Sequence, residues 1–131
     1  MTTPRVLVAD DSRVFRAWAA DVLRDRGFEV LEAADGREAL EVALTARPRL
    51  LLLDALMTLL SGFDVIGKIR EKLPDYRPVV FIVTGVYKSR RWESEARRAH
   101  QVDEYLEKPL EEQTLVKALD RHQPELGQIQ A

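Results

Sequence analysis

Residues Leu50-Leu51-Leu52-Leu53-Asp54-Ala55-Leu56-Met57-Thr58 read LLLLDALMT. Four leucines in a row, ending in a carboxylate, decide the fold. A strand whose apolar residues are continuous, not alternating, is covered on both faces, as strands of parallel sheets are. A carboxylate at the end of such a strand lies near low dielectric and needs compensation. Asp54 therefore either caps local structure or does chemistry.

Working outward, short apolar runs alternate with helical patterns. Arg5–Ala9 (RVLVA) is a compact strand ending at two acids. Ser12 is placed to cap a helix in which Val14, Phe15, Trp18, Ala19, Val22 and Leu23 recur with helical spacing, and Gly27 stops it. Phe28–Ala33 reads as a strand, and a second helix carrying Ala39, Leu40, Ala43 and Leu44 follows Asp35-Gly36. Gly62 opens a third helix with Val65, Ile66, Ile69 and Leu73. Val79–Val83 (VVFIV) is another fully apolar strand. A basic, polar helix is expected over Lys88–His100, a short strand over Val102–Leu106 and a last helix over Glu111–His122, with a frayed tail from Gln123. Five strands each followed by a helix imply an α/β fold with a parallel sheet, right-handed crossovers and helices on both faces. The reading is one domain over 1–123 with a tail over 124–131.

The bulk composition agrees. The chain has 131 residues, 46% hydrophobic and 32% charged, enough for one domain with a real core. Net charge is −2, which gives no general drive toward nucleic acid or anionic membrane. Cysteine is absent, excluding disulfides, thiolate nucleophiles and Cys-based metal sites. No apolar run reaches about 18 residues, and the N-terminus lacks the basic-then-apolar pattern of a signal peptide.

In a parallel sheet of this kind, ligands bind beyond the carboxyl ends of the strands. Strand one ends at Asp10-Asp11, strand three at Asp54, strand four at Thr84-Gly85, and Lys108-Pro109 follows strand five. Singly these are commonplace: Asp and Ser cap helices, Thr ends strands, Lys-Pro makes turns. Together they put three carboxylates, a hydroxyl and an ammonium on one rim. Three carboxylates repel unless a cation intervenes, and Mg²⁺ prefers such oxygen ligands. Lys108 suits a phosphoryl oxygen, and Thr84 can donate a further hydrogen bond. The set fits phosphoryl transfer with Asp54 as nucleophile.

From VLVADDS through LLLLDALM, Gly62 and FIVTG to YLEKPL, the sequence resembles the receiver domain of two-component response regulators, the phosphorelay proteins of bacterial signalling. The resemblance implies a flavodoxin-like doubly wound (βα)5 three-layer sandwich with strand order 2-1-3-4-5. It implies Asp54 as phosphoacceptor, Asp11 and Asp54 as direct Mg²⁺ ligands with the Leu56 backbone carbonyl, and Asp10 acting on the metal through water. Thr84 and Tyr105 would be the switch pair, Lys108 the phosphoryl-binding cation, and Lys108–Pro109 a cis peptide. The implied partners are a histidine kinase or phosphotransfer protein and an output partner or second copy. The output partner or second copy would meet the face formed by the fourth and fifth helices and the fifth strand. No nucleic acid or membrane contact is implied within these residues, and the setting is cytoplasmic. The domain would receive a phosphoryl group and slowly hydrolyse it, without turnover catalysis.

The sequence departs from the family at several points. Thr58 stands where proline is usual, which predicts a looser loop. Gln101-Val102 replaces a common Gly-Ala pair, Gly85 stands where alanine is frequent, and 84–108 is about two residues longer than in the chemotaxis regulators. Leu56 and Val86 are apolar where polar residues often orient water, which predicts slow loss of the phosphoryl group. Trp92 and Arg91 mark a candidate interface on the basic helix. The rival readings are a pseudo-receiver scaffold and an aspartyl-nucleophile phosphohydrolase. Leu56 occupies the place of the second acid that the hydrolase needs. A nucleotide-binding fold is weaker, because no Gly-rich loop follows strand one.

Overall fold

A computed structural model of the protein describes residues 3–85 and 102–126. The expected basic helix over 88–100, with Arg91 and Trp92, lies outside the described residues, as do Val86 and Gln101.

The chain alternates β1 (Arg5–Ala9), α1 (Arg13–Asp25), β2 (Glu29–Ala33), α2 (Gly36–Ala46), β3 (Leu50–Asp54), α3 (Gly62–Lys72) and β4 (Val79–Thr84). After residue 102 come β5 (Glu104–Glu107), α4 (Glu112–Arg121) and α5 (Gln123–Leu126). All strand pairs are parallel, and the sheet order is β2-β1-β3-β4-β5. This is the doubly wound α/β architecture expected from the sequence.

The four leucines serve two cores. Leu51 and Leu53 pack with Ala39, Ala43, Val65, Ile66 and Ile69 on the α2–α3 side. Leu50 and Leu52 pack with Ala19, Leu23, Leu115 and Leu119 on the α1–α4 side. All four are sealed from solvent. Side chains on a strand point alternately to opposite faces, so a strand sandwiched between helices needs an apolar residue at every position. β4 does the same, with Val80 and Ile82 on one side and Val79, Phe81 and Val83 on the other.

Local signals set the helix starts. Ser12 accepts a hydrogen bond from the Phe15 N–H, and Asp35 from the Glu38 N–H. Ser61 and Asp64 form a reciprocal capping box on α3. Two glycines allow close approach. A Cβ on Gly36 would lie 2.0 Å from the Leu60 carbonyl oxygen, and one on Gly62 would lie 2.5 Å from that of Asp54.

Two expectations shift. The strand expected at Val102–Leu106 runs Glu104–Glu107, because Asp103 ties the approach to β4: its N–H donates to the Val80 carbonyl, and its Oδ2 accepts from the Val80 N–H. The fraying expected from Gln123 gives way to the α5 turn. Leu126 is fully buried in the α1–α4 core, so one apolar residue folds the turn back.

Candidate functional site

β1, β3 and β4 are neighbours, so their carboxyl ends bring Asp10, Asp54 and Thr84 together at one edge. Asp10 is only 1% exposed. Its Oδ1 accepts from the Ser12 N–H at 2.8 Å, and its Oδ2 lies 2.8 Å from Lys108 Nζ. The same ammonium is 3.7 Å from Asp54 Oδ2 and 4.5 Å from the centroid of the Phe15 ring. Lys108 is thus held between two carboxylates and over an aromatic face. Its backbone N–H donates to the Thr84 carbonyl at 2.8 Å, which fixes the β5 loop to the end of β4. The Lys108–Pro109 peptide is cis.

Asp54 ends β3 half-buried, with Oδ1 accepting weakly from the Leu56 N–H at 3.4 Å. Its carboxyl is pushed up to about 6. Burial is the largest cause, and the Asp10 charge adds to it. Lys108 and the Leu56 N–H pull the other way, and Asp11 adds a smaller push. At neutral pH Asp54 is still about nine-tenths ionised. It is a carboxylate held at a cost, the condition in which positive charge or a bond to an electrophile is most stabilising.

Asp11 is exposed, and Thr84 is fully buried. Tyr105 is buried in the α2–α3 core. Leu56 is half-exposed beside Asp54.

The loop from β3 to α3 is tied more firmly than the missing proline suggested. The Ala55 N–H donates to Val83, and the Gly62 N–H donates back to Ala55. The Thr58 carbonyl accepts from both Gly36 and Leu60, at 3.1 and 2.9 Å. Leu59 between them has φ 72°, so residues 58–60 make a γ-turn of the strained hand. Backbone hydrogen bonds to α2 do what a fixed proline ring would do elsewhere.

Two functional neighbours escaped the sequence reading. Phe15 read as a core residue, but its face also supports Lys108. Arg16 Nη1 donates to the Asp10 carbonyl at 2.7 Å and Nε lies 3.5 Å from Glu32, so it braces the Asp10-Asp11 turn. The signal was its position four residues after the Ser12 cap, one turn into the helix and facing back toward the acids.

Among the described residues no three Asp, Glu or His side chains are gathered as a closed metal cage. Lys108 fills the space between Asp10 and Asp54. The donor set is nonetheless oxygen-only, and three carboxylates against one ammonium leave an excess of negative charge. By that chemistry the residues fit Mg²⁺, which is bound by few carboxylates and keeps several waters.

The family model for the response regulator receiver domain matches residues 6–120. The chain is 33% identical to the transcriptional regulatory protein PdtaR of Mycobacterium tuberculosis over 117 residues, 88% of this chain and 55% of that protein. It thus spans about half the length of that relative. It is 30% identical to the chemotaxis protein CheY of Thermotoga maritima, covering 89% of this chain and 95% of that one. The structure of chemotaxis protein CheY4 of Vibrio cholerae superposes with a TM-score of 0.82 at 31% identity, covering 92% of this chain and 98% of that one.

Proposed function

Because this chain belongs to the response regulator receiver domain family, we propose that it is a phosphoacceptor switch in which Asp54 takes a phosphoryl group from the phosphohistidine of a kinase or phosphotransfer protein. The observation that carries this is the single ammonium shared by Asp10 and Asp54 at the ends of adjacent strands. A carboxylate oxygen of Asp54 forms a bond to phosphorus as the bond from phosphorus to the donor's imidazole nitrogen breaks. The electron pair of the broken bond stays on that nitrogen. Mg²⁺ held by Asp10, Asp11, Asp54 and the Leu56 carbonyl would supply charge screening for the phosphoryl oxygens.

The chain's own residues do the rest. The new group carries roughly two negative charges, which makes it a stronger partner for Lys108 than the Asp54 carboxylate was. The Lys108 backbone is anchored to the end of β4 through the Thr84 carbonyl, so its ammonium reaches the new group from a fixed base. The Thr84 hydroxyl is the second donor for the phosphoryl oxygens. Movement of Thr84 toward the phosphoryl group would vacate space for Tyr105, which is buried on β5. That biases a two-state equilibrium at the face of β5 and α4, where an output partner or second copy binds. The domain is a cytoplasmic signalling module without catalytic turnover. Leu56, apolar and exposed beside the nucleophile, offers water no orienting group, so the acyl phosphate decays slowly.

The test is a time course with phosphoramidate and Mg²⁺, followed by intact mass. The switch predicts one phosphoryl adduct that accumulates in the parent and is absent in Asp54→Asn. Donor consumption without an adduct would identify a hydrolase, and no reaction would identify a scaffold.

A further inference from the structure

One contact of the Lys108 ammonium involves no acid. Its Nζ lies 2.8 Å from Asp10 Oδ2 and 4.5 Å from the centroid of the Phe15 ring. Phe15 is partly buried and packs on the α1–α4 core. Core packing explains an apolar residue at this position of α1. It does not explain an aromatic ring with an ammonium over its face.

The ring is held in place on two sides. Asp10 Oδ1 accepts from the Ser12 N–H at 2.8 Å, and Ser12 Oγ accepts from the Phe15 N–H at 3.2 Å. The helix cap therefore ties the Phe15 backbone to the acid that shares its ammonium. Trp18, three residues on and on the same helix face, meets the Phe15 ring at 5.7 Å between centroids, with the planes inclined by 48°. The Lys108 stem is confined too: a Cβ on Gly85 would lie 3.4 Å from its Cδ.

The two holds on the ammonium differ in range. A hydrogen bond to a carboxylate is short and directional, and it is gone by about 3.6 Å. A cation is attracted to an aromatic face anywhere within about 6 Å of the centroid. Asp54 Oδ2 is 3.7 Å from Nζ, so the turn from Asp10 toward a group on Asp54 is a short one. The ring can keep hold of the ammonium while the acid lets go. Without the ring, the same turn would give up the Asp10 contact with nothing to replace it until the phosphoryl oxygens arrive.

Resting on the phosphoacceptor reading above, we propose that Phe15, braced by Trp18, is a positioning residue for phosphoryl transfer. Its ring face carries the Lys108 ammonium from Asp10 toward the incoming phosphoryl oxygens, and it acts through Lys108.

The test replaces Phe15 alone by monofluoro-, difluoro- and pentafluorophenylalanine through site-specific incorporation. Fluorine draws negative charge away from the ring face, the source of the attraction, and nearly preserves the shape of the ring. Two readouts follow. In EDTA and without a donor, the Lys108 ε-methylene protons of the parent should resonate upfield of those of exposed lysines, and Phe15→Leu should return them to the ordinary position. With phosphoramidate and Mg²⁺, the rate of adduct formation should fall with each added fluorine, by about three- to tenfold at pentafluorophenylalanine. The same replacement at Phe28, buried in the same core beside the amino end of β2, should leave the rate unchanged. A rate indifferent to fluorine at Phe15, an equal fall at Phe28, or a Lys108 signal at the ordinary position in the parent would overturn the proposal while the adduct still forms on Asp54. A parent that forms no adduct would overturn the phosphoacceptor reading, and this role with it.

Discussion

Replacing Asp54 by asparagine should stabilise the protein at neutral pH, in a way that disappears in acid. In the folded chain burial and Asp10 hold the Asp54 proton to about pH 6, against the ordinary value of 3.8. Between those values the folded state binds more protons than the unfolded chain. Stability therefore falls as pH rises through that window and is level above it. That difference corresponds to about 3 kcal/mol as an upper bound. Asp54 is only half-buried, and solvent screening brings this to about 1–2 kcal/mol. Asparagine keeps an acceptor for the Leu56 N–H, and Lys108 keeps Asp10 at 2.8 Å, so the swap removes the charge and little else. The assay is urea unfolding of parent and Asp54→Asn in EDTA from pH 4 to 8. The variant should gain about 1–2 kcal/mol above pH 6, roughly 4 °C in Tm for each kcal/mol at this size, and nearly nothing at pH 4. A variant no more stable than the parent at pH 7, or one whose gain persists on acidification, refutes the electrostatic account of the site. Active sites that trade stability for function behave in this way.

Three further outcomes follow from the surrounding structure. Leu126→Ala should cost about 2–4 kcal/mol in urea unfolding, because Leu126 is fully buried; a frayed tail would show almost no loss. Gly62→Ala should cost about 1–3 kcal/mol and slow phosphoryl uptake, since its Cβ would lie 2.5 Å from the Asp54 carbonyl oxygen; unchanged unfolding and uptake would mean that the loop moves freely. Leu59→Gly should gain about 0.5–1 kcal/mol, the left-handed strain outweighing the flexibility of glycine, because Leu59 is exposed and has no packing to lose; a destabilised variant would show that its side chain matters.

The sequence made the sheet legible because its central strands are apolar at every position, a pattern that only burial on both faces requires. It made the rim legible because a parallel sheet sends every strand end to one side. What stayed hidden depended on contacts between distant segments. Nothing local to Thr58 shows that its carbonyl is gripped by Gly36 from another helix. Nothing local to Lys108 shows that it sits closer to Asp10 than to Asp54. Phe15 and Arg16 looked like ordinary helix residues until the helix packed against the acidic turn. Leu126 is one apolar letter after a proline, too short a signal for a helical turn.

The central claim is that Asp54, and not its neighbouring acids, becomes the acyl phosphate. Borohydride reduces an aspartyl phosphate to homoserine, so trapping after phosphoramidate and Mg²⁺ treatment, followed by peptide mapping, reads the site directly. The account predicts homoserine at position 54 alone. Homoserine at position 10 or 11, or none anywhere while the donor is consumed, would contradict it.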